Sequence, residues 1–242
     1  MKKRLDQLLV EKGLAPDIQT ARGIIGAGEV LVDEVVADKA GSSYQQGVTL
    51  RVKERCPYVS RGGYKLEKAL NTFPVNPEGL CCIDVGASSG GFTDCLLQNG
   101  AAKVYAVDVA YGQLDWKLRQ DPRVVVIERF NARKITRTEV PDSVQLAVMD
   151  TSFISITQLI PPLFGLFDKT IQIVALIKPQ FELPREKIAK GGVVRDPELH
   201  REAILRIQEF AESIGLVDKG VITSPIKGPK GNTEFLILLE SQ

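Results

Sequence analysis

The chain has 242 residues, 44% of them hydrophobic and 25% charged, with a formal net charge of +1. Those values describe an ordinary globular protein with room for one large α/β domain and a small partner, and the charge alone neither calls for nor excludes nucleic acid. No apolar run approaches the roughly 18 residues of a membrane span, and the apolar segment behind the basic start, Leu8-Leu9-Val10, is too short for an export signal, so a soluble cytoplasmic protein without a membrane partner is expected.

Four cysteines, Cys56, Cys81, Cys82 and Cys95, show no C-x-x-C spacing and are expected to be buried thiols in a reducing compartment. The sole histidine, His200, falls in a polar helix start with no ligand partners nearby in sequence, so no metal site is expected.

In chain order, Leu5, Leu8 and Leu9 give a first short helix, broken by Gly13-Leu14-Ala15-Pro16. Residues 20–27 give a second helix through Ala21, Ile24 and Ile25, and strands are expected at 30–32 and 48–52. Residues 1–70 hold 12 basic and 9 acidic side chains, a mild excess that suits a solvated surface as well as a nucleic-acid face. Two short helices before a small sheet, with Arg4-Leu5-Asp6, Ala21-Arg22, Ile24-Ile25, Gly28-Glu29-Val30 and Val32-Asp33, resemble the RNA-binding domain of ribosomal small-subunit protein four, the S-four domain. The chain departs from that pattern at Ile18, where a basic residue is common, and at Glu34, where a glycine turn is common. Arg22 is the first candidate for an RNA phosphate contact, with Lys3 and Arg4 next; such contacts give affinity without sequence choice. The S-four-like domain and a basic linker, RVKERCPYVSR at 51–61, are expected to fill 1–60, with a second domain over 61–242.

After Gly62-Gly63, residues 64–70 have helical spacing with Leu66, Ala69 and Leu70 turned inward. Lys65 sits at the start of that helix, where an ammonium opposes the helix dipole. Residues 80–108 then read as strand, glycine-rich turn, helix and strand, one βαβ unit. A dinucleotide fingerprint needs a second glycine where Ser88 stands, so pyrophosphate binding is disfavoured. Gly86, Gly90 and Gly91 between Asp84 and Asp108 suit S-adenosylmethionine instead, with Asp108 at a strand tip placed to accept both ribose hydroxyls. The same glycines would equally serve a plain turn.

Beyond this unit a helix is expected over 111–118, strands at 123–128, 144–149 and 170–177, a helix that includes Pro161-Pro162, and a loop over 183–197 long enough to act as a lid. A helix over 198–214, a strand region over 215–224, a basic turn at 227–232 and a last strand at 233–239 complete the chain. The alternation predicts an α/β fold: an open, Rossmann-like, mostly parallel sheet with an antiparallel terminal strand. Ligands in such sheets bind beyond the carboxyl ends of the strands, where Asp84, Asp108, Asp150 and Lys178 are placed. Asn131 follows the third strand, positioned for an amide to read an adenine edge. Glu234 lies inside the last strand and needs a partner if buried, which Lys65 or Lys178 can supply.

The motifs DVGASSGGFTD at 84–94, VDVAYGQL at 107–114, MDTSFIS at 149–155, IKPQFE at 177–182, KGGVVRD at 190–196 and GNTEFLILL at 231–239 resemble the TlyA family, also called haemolysin A proteins, over nearly the whole chain. That family joins an S-four domain to an FtsJ-like ribose 2′-O-methyltransferase domain. The resemblance implies S-adenosylmethionine as cofactor, ribosomal RNA or a ribosomal subunit as partner, and a cytidine as target. It implies cofactor contacts at Asp84, Gly86, Ser88, Ser89, Gly90, Gly91, Phe92, Asp108 and Asn131; Ser89 stands where threonine is usual and keeps the hydroxyl. The family's Lys-Asp-Lys-Glu set falls on Lys65, Asp150, Lys178 and Glu234. A ribose hydroxyl is a very weak acid, so its attack needs a base or nearby cations. Lys178 is the expected base, oriented by Asp150, with Lys65 and Glu234 completing the network. The family's other name raises a membrane-active haemolysin as an alternative, and an RNA-binding protein with an inert methyltransferase fold is another.

Overall fold

The computed structural model describes residues 2–53 and 56–241 and divides into two compact units, Met1–Pro57 and Tyr58–Gln242. Glu54 and Arg55, read above as part of the basic linker, lie outside the described residues.

The first unit runs β1 (Lys2–Arg4), α1 (Leu5–Glu11), α2 (Ile18–Gly26), β2 (Val30–Val32), β3 (Val35–Val36), β4 (Ser43–Gln45) and β5 (Leu50–Val52). Its core gathers Leu5 and Leu9 of α1, Ala21 and Ile25 of α2, and Val30 and Val32 of β2. β3, β2 and β5 form one small sheet, and β1 pairs antiparallel with β4. Strands β1 and β4 escape the sequence reading because their residues, Lys2–Arg4 and Ser43–Gln45, hold no apolar run, and β3 because it is only two residues long. β2 and β3 form a hairpin whose two turn residues, Asp33 and Glu34, both take positive φ, 47° and 65°. Such a turn favours glycine or asparagine. Here Asp33 accepts a hydrogen bond from Thr49 N and Glu34 pairs with Arg51, so the strain is offset by partners on the neighbouring chain segment.

The second unit runs α3 (Gly63–Thr72), β6 (Cys81–Val85), α4 (Gly91–Gln98), β7 (Lys103–Val107), α5 (Trp116–Arg119), β8 (Val124–Ile127), β9 (Leu146–Met149), α6 (Ile160–Leu163), β10 (Gln172–Ile177), α7 (Pro179–Glu182), α8 (Pro197–Ser213), β11 (Leu216–Thr223) and β12 (Phe235–Ser241). Its seven-stranded sheet has the order β11-β12-β10-β9-β6-β7-β8. β10, β9, β6, β7 and β8 are parallel, while β12, the last strand in the chain, runs antiparallel between β10 and β11. Val85, Tyr105, Met149, Ile173 and Ile237 are buried in its main core. The strand order reverses between β6 and β9, which opens a crevice at their carboxyl ends.

The unit begins at Tyr58, inside the stretch read as linker. The Tyr58 ring packs edge-on against Tyr64, and its hydroxyl donates to Glu67 on α3. The helix expected over 111–118 is confined to α5. Gly112 turns at φ 72° and gives its N–H to Glu128, and the true N-cap is Asp115, which accepts from Lys117 N. The strand expected from 233 starts at Phe235, because the chain before it is bent into the 227–232 turn by Gly228 N–H donating to Asn232 O. Of the four cysteines, all free, Cys82 and Cys95 are buried, whereas Cys56 and Cys81 are only half-buried, a correction to the expectation for the set. His200 Nε2 lies 2.9 Å from the Val194 carbonyl, and its ring meets the edge of Phe235. Among the described residues no helix is long and apolar enough to cross a membrane.

Candidate active site

The loop between β6 and α4 is built for close approach. Gly86 adopts φ 86°, and a Cβ there would stand 2.8 Å from the Asp150 carbonyl oxygen. A side chain on Gly91 would meet Gly63 N at 2.8 Å, so glycine lets the start of α4 lie against the start of α3. Ser88 bends at φ 50° and donates its N–H to Asp108 Oδ2 at 2.8 Å, while Asp108 Oδ1 accepts from Ala110 N at 2.8 Å. Asp108 therefore ties the glycine loop to the tip of β7.

Two cavities meet at this loop. A smaller one of about 340 Å³ is lined by Ser60, Arg61, Lys65, Phe92, Lys178 and Lys227 among others. A larger one of about 510 Å³ is lined by Asp108, Val109, Phe130, Asn131, Thr151 and Ile154 among others. Gly86, Ser88, Asp150 and Ser152 line both. Ser89 and Gly91 face the smaller cavity. Asn131, which lines the larger cavity, has its Oδ1 capping the turn at Ala132–Lys134 by accepting from Arg133 N.

Two of the sequence candidates stand behind the loop. Asp84 is fully buried on β6 and accepts from Thr93 Oγ1 of α4 at 2.6 Å, and its other oxygen has no hydrogen-bond partner. Burial pushes its carboxyl up to about 7, against the opposing pull of the Thr93 bond. Gly90, at φ 96°, has its Cβ direction filled by Leu114 and Leu118, so its glycine serves packing.

The four charged candidates form one row: Lys65, Asp150 and Lys178 line the smaller cavity, and Glu234 is buried behind Lys65. Lys65 Nζ lies 2.8 Å from Glu234 Oε2 and 3.0 Å from Asp150 Oδ2; Lys178 Nζ lies 2.5 Å from Asp150 Oδ1. Lys178 also donates to Ser152 Oγ at 3.0 Å. α3, the end of β9, the end of β10 and the start of β12 each deliver one charge. Desolvation works against the Lys65 ammonium, but Asp150 and Glu234 together outweigh it and hold its pKa above the usual lysine value. Desolvation likewise opposes the Asp150 carboxylate, and Lys178 and Lys65 overcome it, keeping Asp150 below the ordinary carboxylate range. A chain of alternating charges in a water-poor pocket can orient a hydroxyl and stabilise negative charge that develops on it.

Sequence reasoning did not single out Ser152, Ser60 or Lys227. Ser152 sits inside the MDTSFIS motif two residues after Asp150, and that adjacency was the available signal. On the first unit, Arg4 and Arg22 both reach Asp6, at 2.8 and 3.0 Å, and Lys3 pairs with Glu11 at 2.6 Å. The Arg4 and Arg22 side chains remain 45% and 58% exposed around the buried Asp6, so each keeps donors in solvent.

Residues 58–241 match the family described as FtsJ-like methyltransferase, and residues 3–50 match the S4 domain. The chain is 45% identical over 242 residues to the 16S/23S rRNA (cytidine-2′-O)-methyltransferase TlyA of Mycobacterium tuberculosis, covering 99% of this chain and 90% of that protein. It is 42% identical over 234 residues to Hemolysin A of Brachyspira hyodysenteriae, covering 96% and 98% of the two chains. The solved structure of a candidate hemolysin from Streptococcus thermophilus superposes with a TM-score of 0.77 at 43% identity, covering 100% of this chain and 89% of that one.

Proposed function

From the premise that the chain belongs to the TlyA family, an S4 domain joined to an FtsJ-like methyltransferase domain, we propose that it methylates ribosomal RNA at a ribose 2′-hydroxyl, on a cytidine, with S-adenosylmethionine as donor. The observation that carries this reading is the row Glu234, Lys65, Asp150, Lys178, of which Lys65, Asp150 and Lys178 line the smaller cavity and Asp150 lines both.

The residues present suit the donor. Gly86 lets the glycine loop lie against the Asp150 carbonyl and lines both cavities, Asp108 offers carboxylate oxygens in the larger cavity, and Val109, Phe130 and Ile154 give that cavity apolar walls for an adenine ring. When bound, S-adenosylmethionine supplies an electrophilic methyl group on a sulfonium sulfur. Ser88 and Ser89 provide hydroxyls for its amino acid end.

Lys65, fixed between two carboxylates, stays an ammonium and stabilises negative charge developing on the ribose oxygen. Lys178 shares only one carboxylate and touches the Ser152 hydroxyl; in its neutral form it receives the 2′-hydroxyl proton. Asp150 bridges the two lysines and sets their spacing, and Glu234 balances the charge of Lys65. On the first unit Lys3, Arg4 and Arg22 contact phosphates, giving affinity without sequence choice.

Incubation with labelled donor and undermethylated ribosomal subunits tests the proposal. Label recovered as 2′-O-methylcytidine is the expected result. Unlabelled RNA, together with lysis of red cells by the pure protein, would overturn it in favour of a membrane-active haemolysin.

A further inference from the structure

Glu182 ends the IKPQFE motif, is buried, and touches none of the groups assigned to the reaction. Its carboxylate reaches across to the segment after β9: Oε2 accepts from Ser155 Oγ at 2.5 Å and Oε1 accepts from Ile156 N at 3.1 Å. Ser155 in turn caps the turn at Ile156–Gln158 by accepting from Thr157 N. One face of this clamp is therefore the segment that carries Asp150 and Ser152. The other face is α7, whose N-cap is Lys178.

The same two segments meet again through the Phe153 and Phe181 rings, with centroids 5.2 Å apart. Phe153, 90% exposed, takes φ 65°, an uncommon conformation for a bulky residue. Burying a carboxylate is costly, and burial pushes Glu182 above the usual carboxylate range even though it accepts two hydrogen bonds. A fold needing only a tight turn here would be served by an apolar residue. What the carboxylate adds is a two-pronged, length-specific link between the strand end bearing Asp150 and the helix start bearing Lys178.

We propose that Glu182 is a positioning residue: by holding Ser155 and Ile156 against α7, it sets the Asp150–Lys178–Ser152 contacts on which methyl transfer depends. This rests on the function proposed above and deepens it. The clamp works through reach, not charge. Glutamine has the same length, can accept from Ile156 N and can donate to Ser155 Oγ, whereas aspartate keeps the charge and falls one methylene short.

The experiment compares Glu182→Ala, Glu182→Asp, Glu182→Gln and Ser155→Ala in the full-length protein, by steady-state methyl transfer over a range of donor and RNA concentrations and by hydrogen exchange at the Ile156 amide. Misplacing reacting groups by about 1 Å can cost about a hundredfold in rate. Glu182→Ala is expected to lose about ten- to a hundredfold in kcat with both KM values within about twofold of wild type, and to lose protection at Ile156. Glu182→Gln should recover most of the rate and Glu182→Asp little of it. Ser155→Ala should lose less than Glu182→Ala, and the double variant should be no slower than Glu182→Ala, since both remove one link. Wild-type kcat in Glu182→Ala, or recovery by aspartate but not by glutamine, would overturn the proposal. Were the wild-type protein inactive on every RNA, the proposed function would fall, and unchanged Ile156 protection in Glu182→Ala would still separately refute the clamp.

Discussion

Lys65 Nζ and Glu234 Oε2 sit 2.8 Å apart, and both side chains are almost wholly out of water. The pair joins α3 to the start of β12, so the charge row is also a structural tie. Removing one partner of a buried pair typically costs about 3–5 kcal/mol, because the other charge is left uncompensated. Glu234→Ala leaves Lys65 with Asp150 as a remaining partner, so a loss of about 2–4 kcal/mol by urea unfolding is expected. Lys65→Met combined with Glu234→Leu removes both charges and should regain most of that stability while staying inactive, which separates the tie from the chemistry.

Gly86→Ala tests the glycine loop. Alanine at φ 86° is strained, and its methyl group would press on the Asp150 carbonyl, 2.8 Å from the Cβ position. The chain can relieve that contact only by moving the glycine loop or the residue that bridges the two lysines. A melting point lowered by several degrees and donor affinity weakened at least about tenfold in calorimetric titration are expected, as strained positions of this kind cost about 1–3 kcal/mol. Unchanged affinity would place the donor elsewhere.

The alternation of strands and helices was legible because buried parallel strands are nearly continuous apolar runs, as in Gln172–Ile177. Asp150 and Lys178 were legible for the same reason: a charged residue directly after such a run marks the carboxyl end of a strand, where ligand crevices open, whereas Lys65, at a helix start, and Glu234, just before the last strand, were assigned through the family's motif. Pairing was not legible. Nothing in the spacing of Arg4, Asp6 and Arg22 says that α1 and α2 bring both guanidinium groups onto one buried carboxylate. The inward turn of Asp84 toward Thr93 was likewise hidden, since an acid at a strand end can face the ligand or the helix packed behind it. The start of α5 was placed too early because Gln113, Leu114 and Leu118 keep helical spacing while Gly112, at positive φ, delays the helix start.

Asp84 makes stability depend on pH. Its carboxyl is raised to about 7 in the folded chain, against an ordinary value near 3.8 when unfolded. Between those values the folded state holds a proton that the unfolded state has released, so stability falls as pH rises from about 4 to 7 and then levels off. The fall is at most about 4 kcal/mol, taking about 1.4 kcal/mol for each pH interval in the window. Asp84→Asn keeps an oxygen for Thr93 and removes the titration. Chemical unfolding at a series of pH values should therefore give a flatter profile for the variant, and parallel profiles would show that Asp84 is ionised in the fold.

Lys178 and Asp108 should fail in opposite ways. Lys178→Ala removes the proposed proton acceptor from the smaller cavity and leaves the larger one untouched. Its single-turnover rate is expected to fall about 10²–10⁴-fold, the usual range for general acid–base catalysis, while donor affinity persists. Asp108→Ala removes the carboxylate that holds Ser88 N and Ala110 N and faces the larger cavity, so donor affinity should weaken by about 1.5–3 kcal/mol, the range for hydrogen bonds to charged groups. Lys178→Arg decides between the two parts a lysine can play. Arginine keeps the cation and its bond to Asp150 but cannot give up its proton in a protein. An inactive Lys178→Arg protein that still binds the donor assigns Lys178 to proton transfer, whereas substantial activity would assign it to charge stabilisation alone, beside Lys65.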